Sequence, residues 1–154
     1  MATYYVRPTI SHSGSRDGLA YATAWGGWSE IVWGASGVEA GDTLYMCGVF
    51  DEDCAMGASG TSGNVITVRG DYAGESGSIV RSSAAETGIL HSGENWVTVD
   101  GVDMNLGGQT GTATCFSMNH RDGWTFKNLS IKDFKFGIYI GVTTVAANTQ
   151  YLTI

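Results

Sequence analysis

Ile66-Thr67-Val68-Arg69-Gly70 returns as Val97-Thr98-Val99-Asp100-Gly101, again as Trp124-Thr125-Phe126-Lys127-Asn128, and once more as Leu152-Thr153-Ile154. Leu44-Tyr45-Met46-Cys47-Gly48 reads as a variant first copy, so the intervals between central residues are 22, 31, 27 and 28. One such run in every 20–50 residues is the signature of a stacked repeat. In each of the four clear runs apolar residues flank a central Thr, and strand side chains alternate, so the flanking pair faces one side and the Thr the other. Three residues after the Thr stands Gly70, Gly101 or Asn128, residue types that accept the left-handed backbone of a sharp corner. Three residues before it stands Asn64, Asn95, Asp122 or Gln150, whose short polar side chains can bond backbone at the preceding corner.

A second alternating segment follows the corner, in Val102-Asp103-Met104 and Leu129-Ser130-Ile131. A third is expected in Gly88-Ile89-Leu90, Thr114-Cys115-Phe116 and Gly137-Ile138-Tyr139-Ile140. Two or three short strands per repeat, stacked about 4.8 Å apart, describe an all-β chain: a right-handed parallel β-helix, with the unequal intervals taken up as loops. Antiparallel hairpins would need two-residue turns such as Asn-Gly between the runs, and none is joined that way. The chain divides into residues 1–40, a strand and a short N-terminal capping helix, and residues 41–154, the coils. The helix is expected within 25–35, with Trp28, Ile31 and Val32 on one face and Gly34 and Gly37 ending it. The last copy stops at Ile154, so the coil stack is expected either to continue in a longer protein or to be covered by another chain.

Composition sets the outer bounds. A chain of 154 residues is long enough to bury a core, and 43% hydrophobic with 15% charged residues argues for a folded protein. Its 23 glycines and single proline, Pro8, suit many short strands and turns. A formal charge of −7 speaks against a nucleic-acid partner. No apolar run of about 18 residues is present to span a membrane. The segment Met1–Val6 lacks a basic stretch followed by an apolar one, so no secretory signal is expected in this chain. The three cysteines, Cys47, Cys54 and Cys115, read as small buried hydrophobes, with a Cys47–Cys54 bridge as the alternative.

Tyr4-Tyr5-Val6 with Asp17-Gly18 and Ala24-Trp25, then Gly41-Asp42-Thr43-Leu44-Tyr45, then Gly63-Asn64-Val65-Ile66-Thr67-Val68-Arg69-Gly70, resembles the start of pectate-lyase-like right-handed β-helix proteins. That group includes polysaccharide lyases and hydrolases and bacteriophage tailspikes. The resemblance implies the fold, an N-terminal cap built on Trp28, Ile31 and Val32, and an extracellular or virion-associated setting. It carries over no catalytic motif.

Several side chains could bear chemistry. Arg69, Asp100 and Lys127, each two residues after a ladder Thr, should stack on one outer face. Lyases of the resembling group tend to use such a face, so Lys127 or Arg69 is the candidate base. Asp100 with Asp103 offers oxygens to Ca2+, the one cofactor considered. A plain plus–minus–plus ladder is the alternative. Trp96, one residue before an inward position, and Asp103 are the candidates for contacting sugar, whereas Trp124 is expected in the core. Asp51-Glu52-Asp53 lacks calcium-loop spacing and reads as a solvated loop. His120-Arg121-Asp122 reads as a polar corner, and His12 and His91 fit no pattern. The Thr67, Thr98, Thr125, Thr153 ladder is expected to brace stacked strands rather than to order ice, because its charged neighbours break a flat Thr array.

Two functions follow as expectations. One is a carbohydrate-associated β-helix that binds or cleaves a polysaccharide on its outer sheet face, as a lyase or glycoside hydrolase if the full-length protein is longer. The other is a non-catalytic segment of a phage tailspike or extracellular fibre, self-associating by trimerisation or end-to-end stacking.

Overall fold

The computed structural model describes residues 1–8, 15–82, 93–106, 114–119, 121–134, 136–141 and 152–153. In chain order the strands are β1 (Thr3–Arg7), β2 (Trp25–Gly26), β3 (Thr43–Met46), β4 (Val49–Phe50), β5 (Ile66–Arg69), β6 (Ser78–Val80) and β7 (Val97–Asp100). They continue as β8 (Asp103–Asn105), β9 (Thr114–Asn119), β10 (Trp124–Lys127), β11 (Ser130–Lys132), β12 (Phe136–Gly141) and β13 (Leu152–Thr153). Three sheets result. The first has seven strands in the order β13-β10-β7-β5-β3-β1-β2, the second has β11-β8-β6-β4, and the third pairs β12 with β9.

Every pairing between these strands is parallel. The chain lays a strand in the first sheet, turns a corner, lays one in the second, and returns beside its earlier strand. The Thr ladder is present as expected: Thr67 pairs with Thr98, Thr98 with Thr125, and Thr125 with Thr153. Alternation then decides what is buried. Val68, Val99 and Phe126 form one inward row with Leu44, and Ile66, Val97 and Trp124 form another. The second sheet faces them with Phe50, Ile79 and Met104, and Cys115 and Phe116 enter from the third. The Phe116 and Phe126 rings lie 4.4 Å apart. Each such aliphatic or aromatic side chain, fully withdrawn from water, contributes about 1.5–3 kcal/mol.

Four expectations need correction. First, the variant copy is offset by two residues: Thr43, not Tyr45, pairs with Thr67, and Tyr45 pairs with Arg69. An even offset leaves every side chain on its own face, so Leu44 and Met46 stay inward while Thr43 joins the Thr ladder and Tyr45 lies beside Arg69. Second, no capping α-helix forms in 25–35. Trp25–Gly26 is strand, and only Trp28–Glu30 makes a single 3-10 turn, entered through Gly27 at φ 128°. A segment so short and so glycine-flanked cannot offset the cost of helix nucleation. Trp28 and Ile31 are buried, but Val32 is 44% exposed. Third, Gly101 (φ 71°) and Asn128 (φ 51°) do take left-handed corners, whereas Gly70 does not have a positive φ. Gly70 is required by space: a Cβ there would sit 2.3 Å from the Gly101 carbonyl oxygen in the next repeat. Fourth, the second-sheet strands begin one residue later than expected, with Val102 buried just before β8.

Asn95 acts at its corner as expected, its Oδ1 accepting from the Asp122 N–H at 2.9 Å. The three cysteines are free and buried. Gly88-Ile89-Leu90, Gln150, Ile154 and all three histidines lie outside the described residues.

Candidate functional site

The first sheet brings Arg69, Asp100 and Lys127 into one row, as the repeat alignment requires. Their partners differ from those of an alternating ion ladder. Arg69 Nε donates to Asp71 Oδ1 at 2.8 Å and its Nη2 to the other carboxylate oxygen, while Asp100 accepts from Asn128 Nδ2 at 2.7 Å. A carboxylate two residues along the same chain holds Arg69 in a two-pronged grip. That hydrogen bonding raises the Arg69 pKa above its already high value, the opposite of what a general base needs.

Asp100 and Asp103 lie on different sheets, separated by the Gly101 corner. Ca2+ takes six to eight oxygens, and among the described residues no group of three or more His, Cys, Asp or Glu side chains is gathered to hold a metal. This pair alone does not fit a Ca2+ site.

Trp96 does not present an open platform. It is half-buried at φ 58°, and its ring lies so close over Gly123 that a Cβ there would come within 2.1 Å of it. Its N–H donates to the Asp122 carbonyl and its carbonyl accepts from Ile66. Trp124 is core, as expected, with Nε1 donating to the Glu94 carbonyl at 2.9 Å.

An aromatic group that the repeat alignment missed lies near β1 and β3. Tyr5 and Tyr45 stack at 5.5 Å, Tyr72 meets both edge-on, and Tyr21 stacks on Tyr72 at 5.0 Å. Arg7 sits over Tyr21 at 4.6 Å and Arg69 over Tyr45 at 5.7 Å. Tyr21 Oη donates to Glu75 at 2.7 Å, which raises the Tyr21 pKa, and Glu75 also faces Arg7 at 3.9 Å. Through these stacked and edge-on contacts the cluster braces two connecting segments onto the first sheet. Its signal in the sequence was the outward position of Tyr5 and Tyr45 on paired strands.

The acidic run is engaged in local bonds. Asp51 accepts from the Ser82 N–H at 3.1 Å, and Asp53 accepts from Arg81 at 3.1 Å.

The second sheet presents a different surface. Its register sets Ser78, Asp103 and Ser130 in one row across β6, β8 and β11, and Val80, Asn105 and Lys132 in the next. The alternate residues Ile79, Met104 and Ile131 point to the core. The outward side chains, with Met104 beneath them, line a groove of about 210 Å³. A larger open cavity of about 500 Å³ is lined by Phe126, Lys127, Asn128, Leu129, Ile131 and Ile138; its lining is mainly apolar, with the exposed Lys127 its one ionisable side chain among the described residues.

Compared with known proteins, the chain matches no family model, no curated protein and no solved structure.

Asp103 and Lys132 are exposed, and Ser78, Asn105 and Ser130 are half-buried. Together they set a carboxylate acceptor, an ammonium donor, an amide and two hydroxyls on three adjacent strands, a spacing of about 4.8 Å from row member to row member. Asp103 was expected as a sugar contact. Ser78, Asn105 and Lys132 were not, because Ser78-Ile79-Val80 lacks the apolar-Thr-apolar run used for alignment. The period-two pattern around Ile79 was the available signal.

Proposed function

We propose that this chain is a stretch of a right-handed parallel β-helix of the pectate-lyase-like kind, and that it binds a polysaccharide on an outer sheet face. From β5 on, each strand except β9, which opens the third sheet, pairs in parallel with the preceding strand of its own sheet, which supports the β-helical reading, and the strong preference for right-handed crossovers supports its hand. The observation that carries the function is the groove on the second sheet, where two hydroxyls, a carboxylate, an amide and an ammonium group lie at strand spacing over an apolar row. Polysaccharides are themselves repeating arrays of hydroxyl donors and acceptors, so a periodic polar face meets them unit by unit. In this reading the protein works outside the cell or on a virion.

Native gel electrophoresis with polysaccharide cast into the gel tests it. Retardation by at least one glycan, relative to a non-binding control protein, is expected. Unchanged mobility across a panel of neutral and acidic polysaccharides would reject carbohydrate binding.

A second reading is a non-catalytic segment of a tailspike or fibre. It is favoured by the candidate catalytic row, in which Arg69 and Asp100 are engaged by Asp71 and Asn128. Light scattering over a range of concentrations separates the two: growth in mass with concentration supports a self-associating rod, and a constant monomer opposes it.

A further inference from the structure

We infer that the groove on the second sheet binds an uncharged glycan and does not process an acidic one, an inference that rests on the carbohydrate-binding reading above. The charge pattern carries it. Asp103 stands in the middle of its row, with Ser78 on one side and Ser130 on the other. Lys132 lies in the neighbouring row, one strand over and two residues along. The six outward positions of the groove thus hold one carboxylate and one ammonium, the remainder being hydroxyl, amide and aliphatic groups.

A polyuronate laid along the Asp103 row would bring carboxylates against an exposed carboxylate flanked only by hydroxyls, in a chain whose formal charge is −7. A neutral glycan meets no such conflict: its hydroxyls donate to Asp103 and accept from Lys132, while Ser78 and Ser130 both donate and accept. The aliphatic Val80, beside Asn105 in the second row, and Val49, 57% exposed beside Ser78 in the first, offer apolar contact for ring C–H groups.

Among the described residues the groove also lacks the means of cleavage. Hydrolysis at a glycosidic bond calls for two carboxyl groups facing each other across it, and Asp103 is the one carboxylate among the described groove residues. Abstraction of a proton next to a uronate carboxyl calls for a neutral base together with a group that neutralises that carboxyl. Lys132 alone cannot be both.

The experiment is affinity electrophoresis of the whole chain against a soluble β-glucan, a galactomannan and polygalacturonate, repeated with Asp103→Ala and Asp103→Asn. Asp103 is exposed, so both variants should melt with the parent. Retardation by a neutral glycan is expected, with polygalacturonate inert. Asp103→Ala should weaken neutral binding about ten- to a hundredfold, as befits loss of a hydrogen bond to a charged group. Asp103→Asn should retain part of that affinity and be less hostile to polygalacturonate. Retardation of the parent by polygalacturonate alone overturns the inference but leaves carbohydrate binding standing. Neutral binding indifferent to Asp103→Ala overturns it as well, by placing the glycan on another face. Retardation by no glycan overturns both, and a concentration-dependent mass abolished by Asp103→Ala would reassign the groove to contact between copies of the chain.

Discussion

Replacing Gly70 by alanine should destabilise the fold more than replacing Gly101, although Gly101 is the glycine with the left-handed backbone. At Gly70 the added methyl would meet the Gly101 carbonyl oxygen at 2.3 Å, about 1 Å closer than the 3.4 Å at which ordinary contact begins. Neither partner is a side chain that can swing aside. Relief requires moving two stacked stretches of backbone apart by about that ångström. The Gly70 N–H to Asp100 carbonyl bond is 2.9 Å long, and such an opening carries it beyond hydrogen-bonding range. Loss of one buried hydrogen bond costs about 1–3 kcal/mol, and overpacking a tight site adds about 1–3 kcal/mol. A total near 3 kcal/mol is reasonable for the lower half of both ranges. At Gly101 the added methyl has room, its nearest neighbour being Asp71 Cβ at 3.5 Å. The cost there is the left-handed backbone alone, about 1–2 kcal/mol. For a chain of this size these values lower the melting temperature by roughly 9 °C and 4 °C. Gly101→Asn should cost least, since Asn128 already holds the matching corner at φ 51°. Far-ultraviolet circular dichroism during heating and urea titration reads all three. If Gly101→Ala proves more damaging than Gly70→Ala, backbone conformation rather than interlayer contact governs the corner, and the steric reasoning fails.

Thiol chemistry gives another test. Burial, reinforced by Glu75, pushes the Cys47 thiol up to about 12, and burial raises Cys54 and Cys115 as well. A chromogenic disulfide at pH 8 should therefore react with none of the three thiols in the native protein and all three in guanidinium; rapid native labelling would contradict the packing. Acid stability follows from Asp71, Asp51 and Asp17, whose pKa values lie below the ordinary 3.8 because of hydrogen bonds from Arg69, Ser82 and Thr23 respectively. A depressed folded pKa contributes stability that is present above the unfolded value and lost as pH falls through the folded one. Unfolding free energy should thus decline below about pH 4, and Asp71→Asn should flatten that decline; an unaltered acid slope in the variant would remove Asp71 from the account. Asn128→Ala should cost about 1–2 kcal/mol through the left-handed corner, with a smaller loss for Asn128→Gly, both measured by urea denaturation.

Much of the first sheet was legible because a Thr between two apolar residues is a pattern with a single physical reading, and four copies of it set the register from Ile66 to Thr153. The offset at Tyr45 has a related cause. Shifts of two residues keep Leu44 and Met46 inward, so hydrophobic pattern alone cannot tell one from the other; the Thr43–Thr67 match could have. Local geometry defeated the proposed ion ladder: Asp71 lies two residues beyond Arg69 and outcompetes a carboxylate one strand away. The Trp28 segment held the right apolar residues for burial but too few turns to be a helix. At the groove, Asp103 was found through its place after the Gly101 corner, while Ser78 and Lys132 sit on strands of three residues, too short to stand out by period.

The unequal intervals along the Thr ladder have an evolutionary corollary. Thr43, Thr67, Thr98, Thr125 and Thr153 pair in register although 24, 31, 27 and 28 residues separate them. Segments of differing length are thus already accommodated between rungs that stay aligned. Doubling a flexible loop adds only about 0.6 kcal/mol of closure cost. Recombination or slippage at a corner would lengthen one loop without shifting the rungs. Such a chain can acquire new loops around its grooves faster than it can lose its fold, and a foreign peptide grafted between two rungs should be carried on the same terms.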